Sequence, residues 1–349
     1  MNSNISPIKS IEMTNFGNLK EFKCDSFSNV NLIIGKNGTG KTFLLKALYV
    51  AIRTAEEYKR GDDNRTINEI LAEKLRWTYQ MQNLGDLVTK SASSQLKFSI
   101  LCEKGTLKYN FSKDATKQII SSYMDEIFSR NKDQSNCIFI PAKEVLSIDN
   151  IILTSRERDH SFGFDDTYYD LVKVLRIAPT RGKNFKPFAN AREDLKKLVN
   201  GKVDFDESTG KWFYKIGNQK FAIGVTAEGI KKIAILDRIL ANGYIGRGSI
   251  VFIDEIENAL HPTAISNFID ILYHISKEMN IQLFISSHSY FVIKKLCLLA
   301  QEKKESITCI SFDEIGGSYR IEDLSLGMPN NSIIDESIRL YEEEIDQVM

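Results

Sequence analysis

Eight consecutive residues, Gly35-Lys36-Asn37-Gly38-Thr39-Gly40-Lys41-Thr42, satisfy the spacing G-x-x-x-x-G-K-[ST] in full. The glycines let the backbone curl until several N–H groups face one point. A helix starting at the end of the loop adds partial positive charge there. Such a cradle suits the phosphates of a nucleoside triphosphate. Lys41 would reach the β- and γ-phosphates, and Thr42 would ligate Mg²⁺. Residues 29–34 read as a buried strand entering the loop, and residues 43–52 as a strongly apolar helix leaving it.

A second cluster lies in the last third of the chain. Ser249-Ile250-Val251-Phe252-Ile253-Asp254-Glu255 is an apolar strand that ends in two carboxylates. A buried strand that emits acids at its C-terminal end sets them at the ligand edge of a parallel sheet. Asp254 would hold the Mg²⁺ shell, and Glu255 would orient or deprotonate an attacking water. Ile281-Gln282-Leu283-Phe284-Ile285 is another apolar strand and ends in Ser286-Ser287-His288-Ser289. His288 follows Asp254 by 34 residues, room for one helix and one return strand. It therefore belongs at the same sheet edge, where it can donate a hydrogen bond to a γ-phosphate.

The elements that must position these residues follow from hydrophobic spacing. Residues 8–16 and 19–27 read as a hairpin around Gly17-Asn18, and residues 67–79 as a helix. Residues 96–102 and 106–111 form a hairpin turning at Lys104-Gly105, then a helix is expected over 116–130 and a strand over 137–140. Two short strands flank Asp206-Glu207-Ser208-Thr209-Gly210. From about Phe221 helices and strands alternate, which implies a parallel sheet with crossover helices. The expected class is α/β, a P-loop fold with a mixed, largely parallel sheet. Its core spans 1–56 and 220–349, and a helical-plus-hairpin lid is inserted over 57–219. The insertion lacks sustained heptads, which argues for a compact lid and against a coiled-coil arm.

Bulk composition narrows the rest. The chain has 349 residues, 42 % hydrophobic and 26 % charged, which suits a soluble globular protein. The 46 basic residues balance 46 acidic ones, so global charge gives no argument for nucleic-acid binding. Cys24, Cys102, Cys137, Cys297 and Cys309 are scattered, an arrangement unlike a disulfide framework or a zinc site. They point to a reducing cytosol, and the N-terminus lacks the features of a signal peptide. A cytoplasmic protein is expected. No apolar run approaches membrane-spanning length.

With these motifs placed, the chain resembles an ABC-type ATPase head of the SMC, RecF and OLD (overcoming lysogenization defect) group. Asp254-Glu255-Ile256-Glu257-Asn258-Ala259-Leu260-His261-Pro262 is similar to the D-E-P-E-N-x-L-H-P run of OLD-like ATPases, with Ile256 in place of Pro. Ile11-Glu12-Met13-Thr14-Asn15-Phe16, Gly35-Lys36-Asn37-Gly38 and Ser287-His288-Ser289 also match that group. The resemblance implies a signature segment that caps the nucleotide of a second subunit. Its counterpart is Thr226-Ala227-Glu228-Gly229-Ile230-Lys231-Lys232, with Thr226, Glu228 and Gly229 contributing in trans. Ala227 stands where the group carries Ser, and Glu228 stands where it carries Gly or a small polar residue. Gln80 and Gln82 are the candidates for the glutamine that couples lid to metal.

The resemblance further implies a homodimer or higher oligomer with ATP and Mg²⁺ sandwiched between heads. Short, lidded heads of this kind resemble the ATPase subunits of bacterial anti-phage systems such as Septu-like modules, whose killing activity sits on a partner. The expected function is an ATP-hydrolysing switch that controls a separate effector such as a nuclease. The rivals are a self-contained RecF-like repair ATPase, a transporter-type subunit and a nearly inactive nucleotide-binding scaffold. The chain shows no H-N-H pattern and no spare acidic cluster, so a nuclease activity of its own is not expected. Residues 154–159 and the trio Arg181, Lys183 and Lys186 are candidates for a nucleic-acid contact. Ile334, Ile338, Tyr341, Ile345 and Val348 form an apolar stripe on an acidic terminal helix, fit to pack on the core or on a partner.

Overall fold

A computed structural model describes residues 7–103, 105–125, 136–179, 186–313 and 318–348. Its centre is a six-stranded sheet built from β3 (Val30–Gly35), β7 (Cys137–Ile140), β11 (Ile250–Ile253), β12 (Gln282–Ser287), β13 (Thr308–Phe312) and β14 (Tyr319–Asp323). Their order is β14-β13-β3-β12-β11-β7, parallel throughout except for β14 at one edge. Every residue of β3, β7, β11, β12 and β13 is buried, as expected when both faces of a parallel sheet are covered.

Alternation along these strands divides the interior in two. Ile33, Phe139, Phe252, Phe284 and Ile310 face a core shared with α1 (Lys41–Glu57) and a second sheet. Leu32, Ile34, Ile138, Ile140, Val251, Ile253 and Ile285 face the opposite core. That core is closed by α4 (Asp166–Leu175), α5 (Lys186–Val199), α6 (Glu228–Ala241), α7 (Pro262–Met279) and α8 (Tyr290–Lys303). The register levels the strand ends: Ile253 pairs with Ile285, Ser287 with Ile34, and Gly35 with Phe312. Gly35, Asp254 and Ser286 thus emerge along one edge.

The second sheet is antiparallel, in the order β2-β1-β4-β5-β6. It contains β1 (Ile8–Phe16), β2 (Leu19–Cys24), β4 (Leu96–Cys102), β5 (Gly105–Phe111) and β6 (Ser121–Met124). This pairing corrects the expected division of the chain. β4 pairs with β1, and β7 is the edge partner of β11, so the 57–219 span supplies strands to both sheets and is not one separate lid. What stands outside the two sheets is α2 (Ile67–Tyr79), α3 (Asp149–Leu153), α4, α5 and a small sheet. That small sheet holds β8 (Lys202–Asp206), β9 (Lys211–Ile216) and β10 (Gln219–Ala222).

The helix expected over 116–130 is also corrected. Ser121–Met124 is a strand, because the open edge of β5 offers a backbone partner that overrides a weak helical pattern. Residues 126–130 and Lys104 lie outside the described residues. All five cysteines are reduced and buried. Among the described residues no helix is long and apolar enough to cross a membrane. The terminal helix α9 (Ser332–Val348) packs on the core through Ile333 and Ile334, while Ile338, Tyr341 and Ile345 are exposed.

Candidate functional site

The loop between β3 and α1 is curled by glycines in the left-handed region: φ is +146° at Gly35, +78° at Gly38 and +112° at Gly40. At Gly35 a Cβ would lie 2.6 Å from the Phe312 carbonyl oxygen, so the close approach of β13 also demands glycine. Gly40 is the N-cap of α1, has no capping side chain, and the first turn carries no acid. The N–H groups of that turn are therefore left for an anion. Lys41 Nζ donates to the carbonyls of Gly35 (2.7 Å) and Lys36 (2.9 Å). Burial pushes its pKa down, while Glu255, Asp254 and Glu257 oppose that shift. An ammonium held only by loop carbonyls gains a stronger partner when phosphate oxygens arrive.

β11 delivers the acids beside this loop. Thr42 Oγ1 donates to both oxygens of Asp254, at 2.9 and 3.0 Å. Ser286 at the end of β12 donates its hydroxyl to Asp254 Oδ1 at 2.6 Å and accepts the Glu255 N–H at 2.8 Å. Glu255 is held at φ +45°, an uncommon conformation for a non-glycine residue. Lys232 of α6 donates to the carbonyls of Asp254 (3.2 Å) and Glu255. Its burial lowers the ammonium pKa to about 8 against the pull of Glu257, Asp254 and Glu255.

These residues fit a magnesium nucleotide. The hydroxyl of Thr42 and the carboxylate of Asp254 form a hard-oxygen pair next to a phosphate cradle, the donor set Mg²⁺ prefers. Thr42 and Asp254 would hold the ion, which would supply neutralisation of the negative charge on the phosphates.

His288 lies at the same edge. Its backbone N–H donates to Glu257 Oε1 at 2.7 Å, its Nδ1 stands 3.2 Å from the same oxygen, and its side chain is 48 % exposed. Glu257 thus anchors the histidine while leaving its outer face free.

The segment expected to serve as a signature opens α6. Gly229 is buried, and a Cβ there would lie 2.4 Å from the Ala259 carbonyl oxygen. Its lack of a side chain thus has a packing cause in its own chain. Thr226 is turned inward, its hydroxyl donating to the Ala222 carbonyl at 3.4 Å. Glu228 is exposed and is the acid of the first helical turn, a favourable place for negative charge.

The phosphate loop opens into a cavity of about 440 Å³ lined by Asn37, Gly38, Gly40, Lys41, Thr42 and Glu255, with Lys46, Tyr79, Gln80 and Asp165 on its other walls. Its lining includes none of Thr226, Glu228 and Gly229. Gln80 lines the cavity, whereas Gln82 does not. With its side-chain oxygen turned toward them, Gln80 accepts the N–H groups of Phe164 (3.3 Å) and Asp165 (3.0 Å).

Three participants were not assigned from the sequence. Ser286 is a hydroxyl at a strand end adjoining the acids, a signal that could have been read. Lys232 and Asp165 come from distant segments whose approach only the fold reveals. One expected nucleic-acid contact is corrected. Arg156 points inward, its guanidinium 3.3 Å from the centre of the Trp77 ring and 3.0 Å from Asp166. Its site in a π-helical turn, Thr154–Arg158, directs it there. Arg181 and Lys183 lie outside the described residues, and Lys186 begins α5.

The chain is 23 % identical over 369 residues to an "ATP/GTP phosphatase" of Helicobacter pylori, across 88 % of this chain and 93 % of that one. Over 84 residues it is 31 % identical to the "DNA replication and repair protein RecF" of Lactococcus lactis, 24 % of this chain and 21 % of RecF. Its fold is that of an SMC head solved with the C-winged helix domain of ScpA, at a TM-score of 0.52 and 15 % identity, covering 91 % of this chain and 98 % of that one. The family model described as "AAA domain, putative AbiEii toxin, Type IV TA system" matches residues 30–294, which hold the phosphate loop, both acids and His288, and the chain belongs to that family.

Proposed function

We propose that this ATPase head hydrolyses ATP as a cytoplasmic dimeric switch and controls a separate effector, a nuclease or toxin, in an anti-phage system. The observation that carries the catalytic part is the convergence of Thr42, Asp254 and Ser286 beside Glu255 and Lys41. Gly35 to Thr42 would hold the phosphate chain, with Lys41 on the β- and γ-oxygens. Thr42 and Asp254 would hold Mg²⁺. Glu255 takes the proton of a water as its oxygen bonds to the γ-phosphorus and the bond to the β,γ-bridging oxygen breaks, releasing ADP and phosphate. His288 donates to the γ-phosphate, and Ser286 and Lys232 keep the two acids aimed.

The dimeric part rests on the signature segment. None of Thr226, Glu228 and Gly229 lines its own chain's nucleotide cavity, and Glu228, the exposed one of the three, presents the opening of α6 toward a second head. Effector control is supported by the defence-linked description of the family and by the exposed stripe of α9. The similarity to RecF favours a second reading, a repair ATPase that acts on DNA itself.

Glu255→Gln is the test. Turnover should fall by about 10² to 10⁴-fold, the usual share of a general base, while ATP binding persists and light scattering finds an ATP-dependent dimer. Unchanged turnover would sink the catalytic assignment, and a monomer at saturating ATP would sink the sandwich. DNA-stimulated hydrolysis by the wild type would favour the repair reading.

A further inference from the structure

Lys46 and Asp165 line the nucleotide cavity without serving any step above. Lys46 follows Thr42 by four residues on α1, so both side chains occupy one face of the helix. Helical side chains lean toward the N-terminus, which lays the Lys46 stem over the turn that carries Lys41 and Thr42. The rise across that turn is about 6 Å, within reach of a lysine side chain.

Lys46 Nζ is 2.7 Å from Asp165 Oδ2, with the side chains 19 % and 9 % exposed. The two partners are not equally free to move. Asp165 is the N-cap of α4, and its Oδ1 accepts from the Thr167 N–H at 2.8 Å and the Thr167 hydroxyl at 2.5 Å. Its backbone N–H is held by Gln80. Lys46 has only its flexible four-carbon stem. A polyanion entering the cavity offers that ammonium more charge and more acceptor oxygens than one carboxylate does.

We propose that Lys46 is a second phosphate-binding lysine, parked on Asp165 and transferred to the triphosphate when nucleotide enters. The inference rests on the reading of Gly35 to Thr42 as the nucleotide cradle. Its consequence extends beyond the cavity, because α4 touches α6 at its far end. Asn242 Nδ2 donates to the Val174 carbonyl at 2.7 Å, and Arg238 Nε to the Leu175 carbonyl at 2.9 Å. Release of Asp165 at one end of α4 is therefore linked through that helix to the C-terminal end of α6, whose opposite end carries Gly229.

Competition of Mg–ATP against a fluorescent ATP analogue would be measured on the full chain for wild type, Lys41→Ala, Lys46→Met, Asp165→Asn and the Lys46→Met/Asp165→Asn double variant. Asparagine still caps a helix, so Asp165→Asn removes charge and spares the fold. Lys46→Met should weaken ATP binding by about tenfold or more, the worth of one charge-assisted contact. Asp165→Asn should tighten it severalfold, and this gain should vanish in the double variant. A Lys46→Met affinity within about twofold of wild type, or weaker binding by Asp165→Asn, overturns the inference. Full affinity in Lys41→Ala would instead bring down the nucleotide reading. Loss there beside normal binding by Lys46→Met would overturn the Lys46 assignment alone.

Discussion

At its first turn α1 holds Lys41 against two carbonyl oxygens, and about three turns later it holds Arg53 among Glu56, Glu57 and Asp170. Both ends are buried and cationic. At the far end the charges are answered from within. Lys74 of α2 meets Glu57 at 2.9 Å, Asp166 at 3.3 Å and Asp170 at 3.4 Å. Tyr49 donates to Asp170 at 2.5 Å. Burial raises the Asp170 carboxyl, but Lys74 and Arg53 more than offset that and hold it at about 2. At the near end the cation is left with partners it can exchange. A charged cluster that satisfies itself is scaffold; one that is held by weak acceptors beside an open cavity is prepared for a ligand.

Three measurements test the contrast. The largest effect is expected at the closed end. Asp170→Ala leaves Arg53 and Lys74 facing a lost carboxylate, at a cost of about 3–5 kcal/mol in denaturant unfolding. ATP affinity of the molecules still folded should barely change, and a specific loss of affinity would break the distinction. At the open end the reverse is expected. Lys41→Met should weaken ATP binding by about thirtyfold or more, the scale of a hydrogen bond to a charged group. Its unfolding free energy should stay within about 1 kcal/mol of wild type, because the substitution removes a buried cation. Substantial destabilisation would show that the lysine is structural.

The smallest effect sharpens the same idea at Lys232, another ammonium held by carbonyls. Turnover at saturating ATP should fall severalfold from pH 7 to pH 9 as the group with a pKa of about 8 loses its charge, and Lys232→Arg should flatten that limb. Stability runs the other way. The folded pKa lies below the ordinary 10.5, so between these values the unfolded chain binds the extra proton, and stability rises with pH. A turnover profile unchanged by Lys232→Arg would remove the residue from the positioning of Glu255.

The near end of α1 was legible because its chemistry is local. Gly35 to Thr42 are contiguous, and the acids and His288 follow strands apolar enough to be recognised as buried. The far end was not legible, because Arg53, Lys74 and Asp170 sit on three helices separated by long stretches of chain. Nothing in the sequence around Lys74 distinguishes a buried lysine from a solvated one. The same limit explains the misplaced division of the chain. The hairpin of β4 and β5 reads alike whether it stands alone or extends β1, and only pairing decides. Gly229 illustrates a third limit, since its glycine is demanded by the Ala259 carbonyl, a backbone atom with no sequence signature.

With Cys24, Cys102, Cys137, Cys297 and Cys309 all enclosed, the folded surface offers a thiol reagent nothing to react with. Labelling by a maleimide then becomes a clock for opening: each modified cysteine marks a region that has transiently come apart. Cys137 sits beside Glu56 on the edge strand β7, and Cys309 lies in β13 on the other side of the phosphate-loop strand. Their separate labelling rates, read by peptide mass with and without nucleotide, would report which flank of the sheet the ligand tightens. A single cysteine introduced on an exposed helix would, for the same reason, be an unambiguous handle for a label that reports whether two heads associate.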